Sequence, residues 1–124
     1  MIYLDTHVLV WLYEKRLDLF TSRAKGLIDT EPLFLSPIVI LEMDYLHESK
    51  RILVSSRRIL SYLQKKLGLT ICDKPFPEII NSARGLSWTR DPFDRVIVGH
   101  ARLHENRLLT KDEQIRKHYR HAVW

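Results

Sequence analysis

Short apolar runs of three or four residues, each next to a segment of helical periodicity, constrain the fold of this chain more than any other feature. Ile2 to Leu4 ends at Asp5, and Thr6 can cap an amphipathic segment from Val8 to Glu14. Leu33 to Leu35 is a second run. Ser36-Pro37 follows it with a cap residue and a proline at the first helical position, which opens a helix through about Ser49. A helix from Ser55 to Leu67, closed by Gly68, precedes a third strand from Leu69 to Cys72. Leu108 to Thr110 reads as a fourth strand and Ala122 to Trp124 as a final edge strand. The remaining spacing predicts helices over Ser22 to Ile28, Pro77 to Arg84 with Gly85 ending it, Asp91-Pro92 through roughly Glu105, and Glu113 to Tyr119. No Asn-Gly or comparable hairpin turn joins two runs. The expectation is therefore an α/β fold with a mostly parallel central sheet covered by helices on both faces.

With 124 residues and 45% hydrophobic content, the chain has material for one buried core, and a single domain over 1–124 is expected. No stretch approaches the roughly 18 to 20 continuous apolar residues of a membrane helix, and Met1-Ile2-Tyr3-Leu4-Asp5 lacks the basic and apolar regions of a signal segment. These points predict a soluble protein of the cytoplasm with no membrane partner. Cys72 is the one cysteine, which excludes an internal disulfide, a zinc ribbon and a paired-thiol redox site; it reads as a small buried hydrophobe.

In open parallel sheets, ligands bind beyond the carboxyl ends of the strands. Asp5 ends the first strand, and Asp112 lies just past the fourth. Glu42 is the most telling acid, because its helical neighbours at three and four positions are Ile38, Val39, Tyr45 and Leu46. A carboxylate on an apolar stripe needs a lysine or arginine partner or a metal. Asp44, beside His47 and Glu48, reads instead as a solvated charge. In Thr89-Arg90-Asp91-Pro92-Phe93-Asp94-Arg95, Asp91 suits a helix cap, while Asp94 falls in the first turn, aimed one turn into the helix. Asp112 can equally cap the last helix, and Thr110 with Glu113 has capping-box spacing. Four carboxylates (Asp5, Glu42, Asp94 and Asp112) brought to one sheet edge raise each other's pKa unless a cation holds them. An all-oxygen set favours Mg²⁺ or Mn²⁺ over zinc.

The net charge of +5 fits a nucleic-acid partner without requiring one. It gains weight once Asp5, Glu42, Asp91, Asp94 and Asp112 are assigned to a site, because the rest of the chain then carries twenty basic against ten acidic residues. Arg90, Arg95 and Lys111, with Arg57 and Arg58 behind them, are candidates for phosphate contact, and Trp88 for base stacking. Each also has an ordinary role available, as a solvated charge or a loop anchor. His100 and His104 stand four apart, but Ala101-Arg102-Leu103 between them lacks the glutamate of a zinc-protease helix, and they read as a surface or partly buried pair. No glycine-rich phosphate loop or nucleophile elbow is present.

The ordered set Asp5-Thr6, Ser36 with Glu42, Asp91-Pro92-Phe93-Asp94-Arg95 and Leu109-Thr110-Lys111-Asp112 resembles the acidic signature of PIN-domain ribonucleases. The run Met1 to Leu12 and the block Ser87 to Arg95 are similar to VapC-type toxins of VapBC toxin-antitoxin pairs, and the likeness extends over essentially the whole chain. The resemblance implies a three-layer PIN-like domain and Mg²⁺- or Mn²⁺-dependent endonucleolytic cleavage of RNA. It further implies control by a small VapB-type antitoxin, and a homodimer. It assigns metal-site and catalytic roles to Asp5, Glu42, Asp94 and Asp112, with Asp91, Thr6 and Thr110 as accessory positions. Two rival readings compete with it. An aspartyl phosphatase would want a second aspartate two positions after Asp5, where His7 stands. A noncatalytic PIN-like module binding RNA or protein would not need the full acidic set, which is present.

Overall fold

The computed structural model describes all 124 residues. Its order is β1 (Ile2–Leu4), α1 (Thr6–Tyr13), a 3₁₀ turn (Leu17–Leu19), α2 (Ser22–Thr30), β2 (Leu33–Leu35), α3 (Pro37–Glu48), α4 (Ser56–Leu67), β3 (Thr70–Ile71), α5 (Phe76–Ala83), α6 (Pro92–Arg102), β4 (Arg107–Leu109), α7 (Glu113–His118) and β5 (Ala122–Val123). The strands form one sheet in the order β3-β2-β1-β4-β5, and every pairing is parallel. Successive residues of a strand face opposite sides of a sheet, yet Ile2, Tyr3 and Leu4 are all at most 1% exposed. Both faces of β1 are therefore covered by helices, giving a three-layer α/β fold as the alternation of elements requires.

The alternation of elements matches expectation, and the differences lie at element ends. Asp5, not Thr6, caps α1: its side chain accepts a hydrogen bond from the Thr6 amide, and Thr6 enters the helix. Asp112, not Thr110, caps α7, accepting from the Ile115 amide at 2.9 Å. The third strand keeps only Thr70 and Ile71, although Cys72 still donates its amide to Leu35 at 2.9 Å. Helix α6 stops at Arg102, short of Glu105, and Glu105 takes up a left-handed conformation with φ 53°. Gly68 closes α4 in the same region with φ 66°, where glycine carries no Cβ penalty.

A contiguous cluster of 26 buried side chains runs from Ile2 to Val123. Helices α5 and α6 approach so closely that a Cβ on Gly99 would lie 2.7 Å from that of Ala83, so this crossing needs glycine on α6. Asp44 is not free in solvent; it accepts a hydrogen bond from Ser56 and ties α3 to α4. No helix is long and apolar enough to cross a membrane.

From β1 the chain steps outward through β2 to β3, then returns across the sheet to β4 on the other flank of β1. The direction of winding thus switches between β1 and β4, and their carboxyl ends diverge into a crevice. Asp5 follows β1 there, and Thr110 to Asp112 follow β4.

Candidate active site

The short strand β1 delivers Asp5 to that crevice, and its amide donates to the Leu109 carbonyl at 3.1 Å, so Asp5 continues the β1–β4 pairing by one step. Asp5 is only 3% exposed, and both of its carboxylate oxygens are engaged. Oδ1 accepts from the Thr6 amide at 2.8 Å, and Oδ2 accepts from the Thr110 hydroxyl at 2.6 Å. The Thr110 oxygen accepts in turn from the Asp112 amide at 3.0 Å, so the residues after β4 are fixed to the acid after β1. His7 adds a second tie: its Nε2 accepts from the Lys111 amide at 3.0 Å. In the neutral ring the proton then sits on Nδ1, which lies 3.5 Å from Asp5 Oδ2. Burial holds the His7 ring below the usual imidazole range, with Asp5 and Asp112 acting the other way.

Helix α3 brings Glu42 in from the opposite side, where its carboxylate accepts a hydrogen bond from the Thr6 hydroxyl. The stripe around Glu42 is less covered than the sequence suggested, since Val39 is buried but Tyr45 is 50% exposed. Glu42 is half-buried and faces a cleft. Helix α6 supplies the rest. Asp91 caps it, with Oδ1 accepting from the amides of Phe93 at 2.8 Å and Asp94 at 3.2 Å. Carboxylate oxygens of Glu42, Asp91 and Asp94 all lie within 4.8 Å of one another. Asp91 therefore caps the helix and also stands in the acidic group, two roles that the sequence offered as alternatives.

All five acids line one cleft of about 440 Å³. Burial, followed by the charges of Asp5, Asp91, Asp112 and Glu42, pushes the Asp94 carboxyl up to about 8. Burial likewise raises Glu42; the Thr6 hydroxyl opposes the shift, and Asp5 and Asp91 add to it. No lysine or arginine forms an ion pair with any of the five; His7 is the only basic group within 4.0 Å. The partner that a purely structural Glu42 would require is missing. An all-oxygen donor set with uncompensated negative charge fits a hard divalent cation, which would relieve the repulsion that raises Asp94.

The other sequence candidates do not line this cleft. Trp88 stacks on His118 with ring centroids 4.8 Å apart and lines a separate hollow with Arg102 and Arg120. Arg95 donates to the Arg84 carbonyl at 2.8 Å, and Arg90 is exposed. Lys111 places its ammonium 5.8 Å from the Trp11 ring centroid. Arg57 and Arg58 line a third hollow, with Tyr13 and Tyr62.

Sequence reasoning passed over the rest of the cleft. Beyond the acids it is lined by Val10, Trp11 and Glu14 of α1 and its cap, and by Leu46, Arg51 and Ile52 after Glu42. A signal for the first group did exist: Thr6, Val10 and Glu14 recur at intervals of four, one face of a helix. Arg51 had none, because it enters through the turn at Lys50, whose φ is 62°.

Residues 2–121 match the family model of the PIN domain. The chain is 31% identical over 133 aligned positions to Ribonuclease VapC22 of Mycobacterium tuberculosis, an alignment covering 98% of this chain and 96% of that protein. Among solved structures it is similar to a toxin-antitoxin complex from Klebsiella pneumoniae (TM-score 0.69, 18% identity, 100% of this chain and 97% of that one). It is also similar to VapBC2 from Rickettsia felis bound to a DNA fragment from their promoter (TM-score 0.65, 20% identity, 94% and 92%). At those identities the structural likeness speaks to the fold.

Proposed function

This chain belongs to the PIN-domain family, and from that premise we propose that residues 1–124 form one endoribonuclease domain, the toxin of a VapBC-type pair, dependent on Mg²⁺ or Mn²⁺. The observation that carries the reading is the set of five acids in one cleft at the switch between β1 and β4, with no lysine or arginine paired to any of them. A nuclease that must admit a cation and a phosphodiester gains from such a deficit, whereas a structural cluster would fill it internally. The ribonuclease name of the 31% identical relative supports the substrate class. The toxin-antitoxin complexes among the structural neighbours support a small antitoxin as partner. A homodimer and a cytoplasmic site of action belong to the same reading.

Asp5, Glu42, Asp94 and Asp112 would hold the ion, with Asp91 beside them. When bound, such an ion lowers the pKa of water and neutralises charge on phosphoryl oxygens during in-line displacement. The chain's own contribution is preorganisation. Thr110 and the Thr6 amide fix both oxygens of Asp5 before anything binds. The Thr6 hydroxyl holds Glu42 toward the cleft. The cap bonds of Asp91 keep the first turn of α6, and with it Asp94, in place. Rigid ligands lose little freedom when the ion arrives. Lys111, between Thr110 and Asp112, would meet a phosphate at the rim.

Purified protein freed of any partner should cleave cellular RNA with Mg²⁺ or Mn²⁺, stop in EDTA, and lose the activity in Asp94→Asn. Cleavage that persists at the normal rate in EDTA or in the variant would refute the assignment. Absence of cleavage by folded protein across many RNAs would favour the binding-module reading.

A further inference from the structure

The cleft is chemically two-sided. Its floor is one face of α1 and the residue capping it: Thr6, Val10 and Glu14, flanked by His7 and Trp11. Eight residues of helix span roughly 12 Å. One end lies among the acids, where Thr6 bonds Glu42; the other lies at Glu14. The facing wall repeats the polarity, running from Glu42 one helical turn to Leu46 and then to Arg51 and Ile52. The far half thus holds apolar surface on both sides, the Trp11 ring with the Lys111 ammonium 5.8 Å from its centroid, the Arg51 cation and the Glu14 carboxylate. Glu14 and Arg51 make no ion pair with each other or with any other group. Their side chains remain free to meet a ligand. At a rise of about 3.4 Å per stacked nucleotide, the floor accommodates the scissile phosphate and at least one neighbouring nucleotide.

We propose that this half of the cleft is a nucleotide-selecting subsite. The base beside the scissile phosphate packs between Val10 with Trp11 and Leu46 with Ile52, Arg51 contacts that nucleotide's phosphate, and Glu14 accepts from an amino-bearing base edge. A carboxylate can only accept, so it favours the amino groups of cytosine, adenine or guanine; uracil offers only its N3–H, flanked by two carbonyl oxygens that repel the carboxylate. Stacking on an aromatic side chain supplies affinity without sequence preference, which leaves selection to Glu14. Arg51 gives the fork geometry suited to phosphate. The proposal rests on the nuclease reading for its scissile phosphate.

The test uses fluorescein-labelled oligoribonucleotides that differ only in the base beside the cut. Binding is read by polarisation in EDTA and cleavage in Mg²⁺, for wild type, Glu14→Gln, Trp11→Leu and Trp11→Phe. Glu14 is exposed, so its substitution leaves folding intact. The expected result is at least about tenfold discrimination against uridine in kcat/KM, shrinking to under about threefold in Glu14→Gln. Trp11→Leu should raise KM with kcat nearly unchanged, and Trp11→Phe should restore it. Cleavage by wild type with a base preference that Glu14→Gln leaves unaltered overturns the subsite while the nuclease reading stands. Selective binding lost in Glu14→Gln, without cleavage by any form, keeps the subsite and refutes the nuclease reading. Neither binding nor cleavage refutes both.

Discussion

Strand β1 and helix α6 contribute to two polar clusters, and the clusters treat their polar groups in opposite ways. At the carboxyl end of β1, Asp5 shares a cleft with Asp94 from the first turn of α6, and three more acids join them with no lysine or arginine ion-paired to any of the five. In the middle of β1, Tyr3 packs against His100 of α6, with centroids 5.3 Å apart. There the half-buried cation is provided for: Lys74 donates to the His100 carbonyl at 3.1 Å and to Asn106 Oδ1 at 2.8 Å, and lies 4.8 Å from the Tyr3 ring centroid. The Tyr3 hydroxyl meets Cys72 Sγ at 2.8 Å. His100, 1% exposed and with neither ring nitrogen partnered, is kept neutral, its pKa pushed down to about 4 by burial and by Lys74. A structural cluster settles its charges internally. The acidic cluster leaves its charge unsettled, and the counter-charge has to come from outside.

The largest expected effect separates the two clusters directly. Asp94→Asn should cut metal-dependent cleavage by more than about 100-fold while raising the melting temperature in EDTA, because it removes the most strained of the like charges. His100→Phe should leave the chemistry alone: its cleavage rate should stay within about threefold of wild type, since no partner is lost when unbonded nitrogens are replaced by carbon. Calorimetry in EDTA beside a cleavage assay reads both, and an inactive His100→Phe would join the clusters into one machine.

Gly99 tests whether α6 couples them. Valine there would drive its side chain into Ala83, where even a Cβ would lie 2.7 Å away. Overpacking should cost about 1 to 3 kcal/mol, seen as a lower urea midpoint. Because α6 carries both Asp94 and His100, cleavage should fall with it; loss of stability at full activity would mean the first turn of α6 is held by the Asp91 cap alone.

Stability against pH sharpens the contrast, because the two groups act with opposite sign. Asp94 titrates near 3.8 unfolded and near 8 folded, so between those values the folded protein binds the extra proton and stability falls as pH rises. His100 titrates near 6.5 unfolded and near 4 folded, so there the unfolded chain binds more, and stability falls as pH drops. Each contributes a slope of at most about 1.4 kcal/mol per pH unit, with that of Asp94 reduced by solvent screening because it is half-exposed. In EDTA, Asp94→Asn should lose the decline from pH 6.5 to 8, and His100→Phe the decline from 6.5 to 4. Mg²⁺ added at pH 8 should erase the Asp94 limb and leave the His100 limb unchanged. Identical profiles for the two variants would refute both assignments.

The same contrast explains what the sequence revealed. Strand and helix order was legible because each apolar run stands beside a clear start or stop signal, such as Ser36-Pro37 or Gly68. The acids were legible because the strand-end rule needs only element order to bring Asp5 and Asp112 together. Glu42 stood out against apolar neighbours. The double role of Asp91 was hidden, since capping and cleft-lining depend on which oxygen points where. The far half of the cleft was hidden because Arg51 arrives through a left-handed turn at Lys50 that no motif marks. His100 was misjudged as a surface or partly buried residue; its burial comes from Tyr3 and Lys74, and periodicity along α6 does not report neighbours distant in sequence.

The smallest predicted effect asks whether β1 carries information between the clusters. Tyr3→Phe removes the hydroxyl that meets Cys72 but keeps the ring near Lys74 and against His100. A thiol is a weak partner, so the loss should be about 1 kcal/mol or less. Asp5, two residues further along, keeps its bonds to Thr6 and Thr110, and the Tyr3 hydroxyl bonds to none of the five acids. Cleavage by Tyr3→Phe should therefore match wild type at equal folded concentration, with only a small downward shift in melting temperature. A tenfold loss of cleavage without loss of stability would mean that the position of β1, set by its central tyrosine, governs how Asp5 is presented to the cleft.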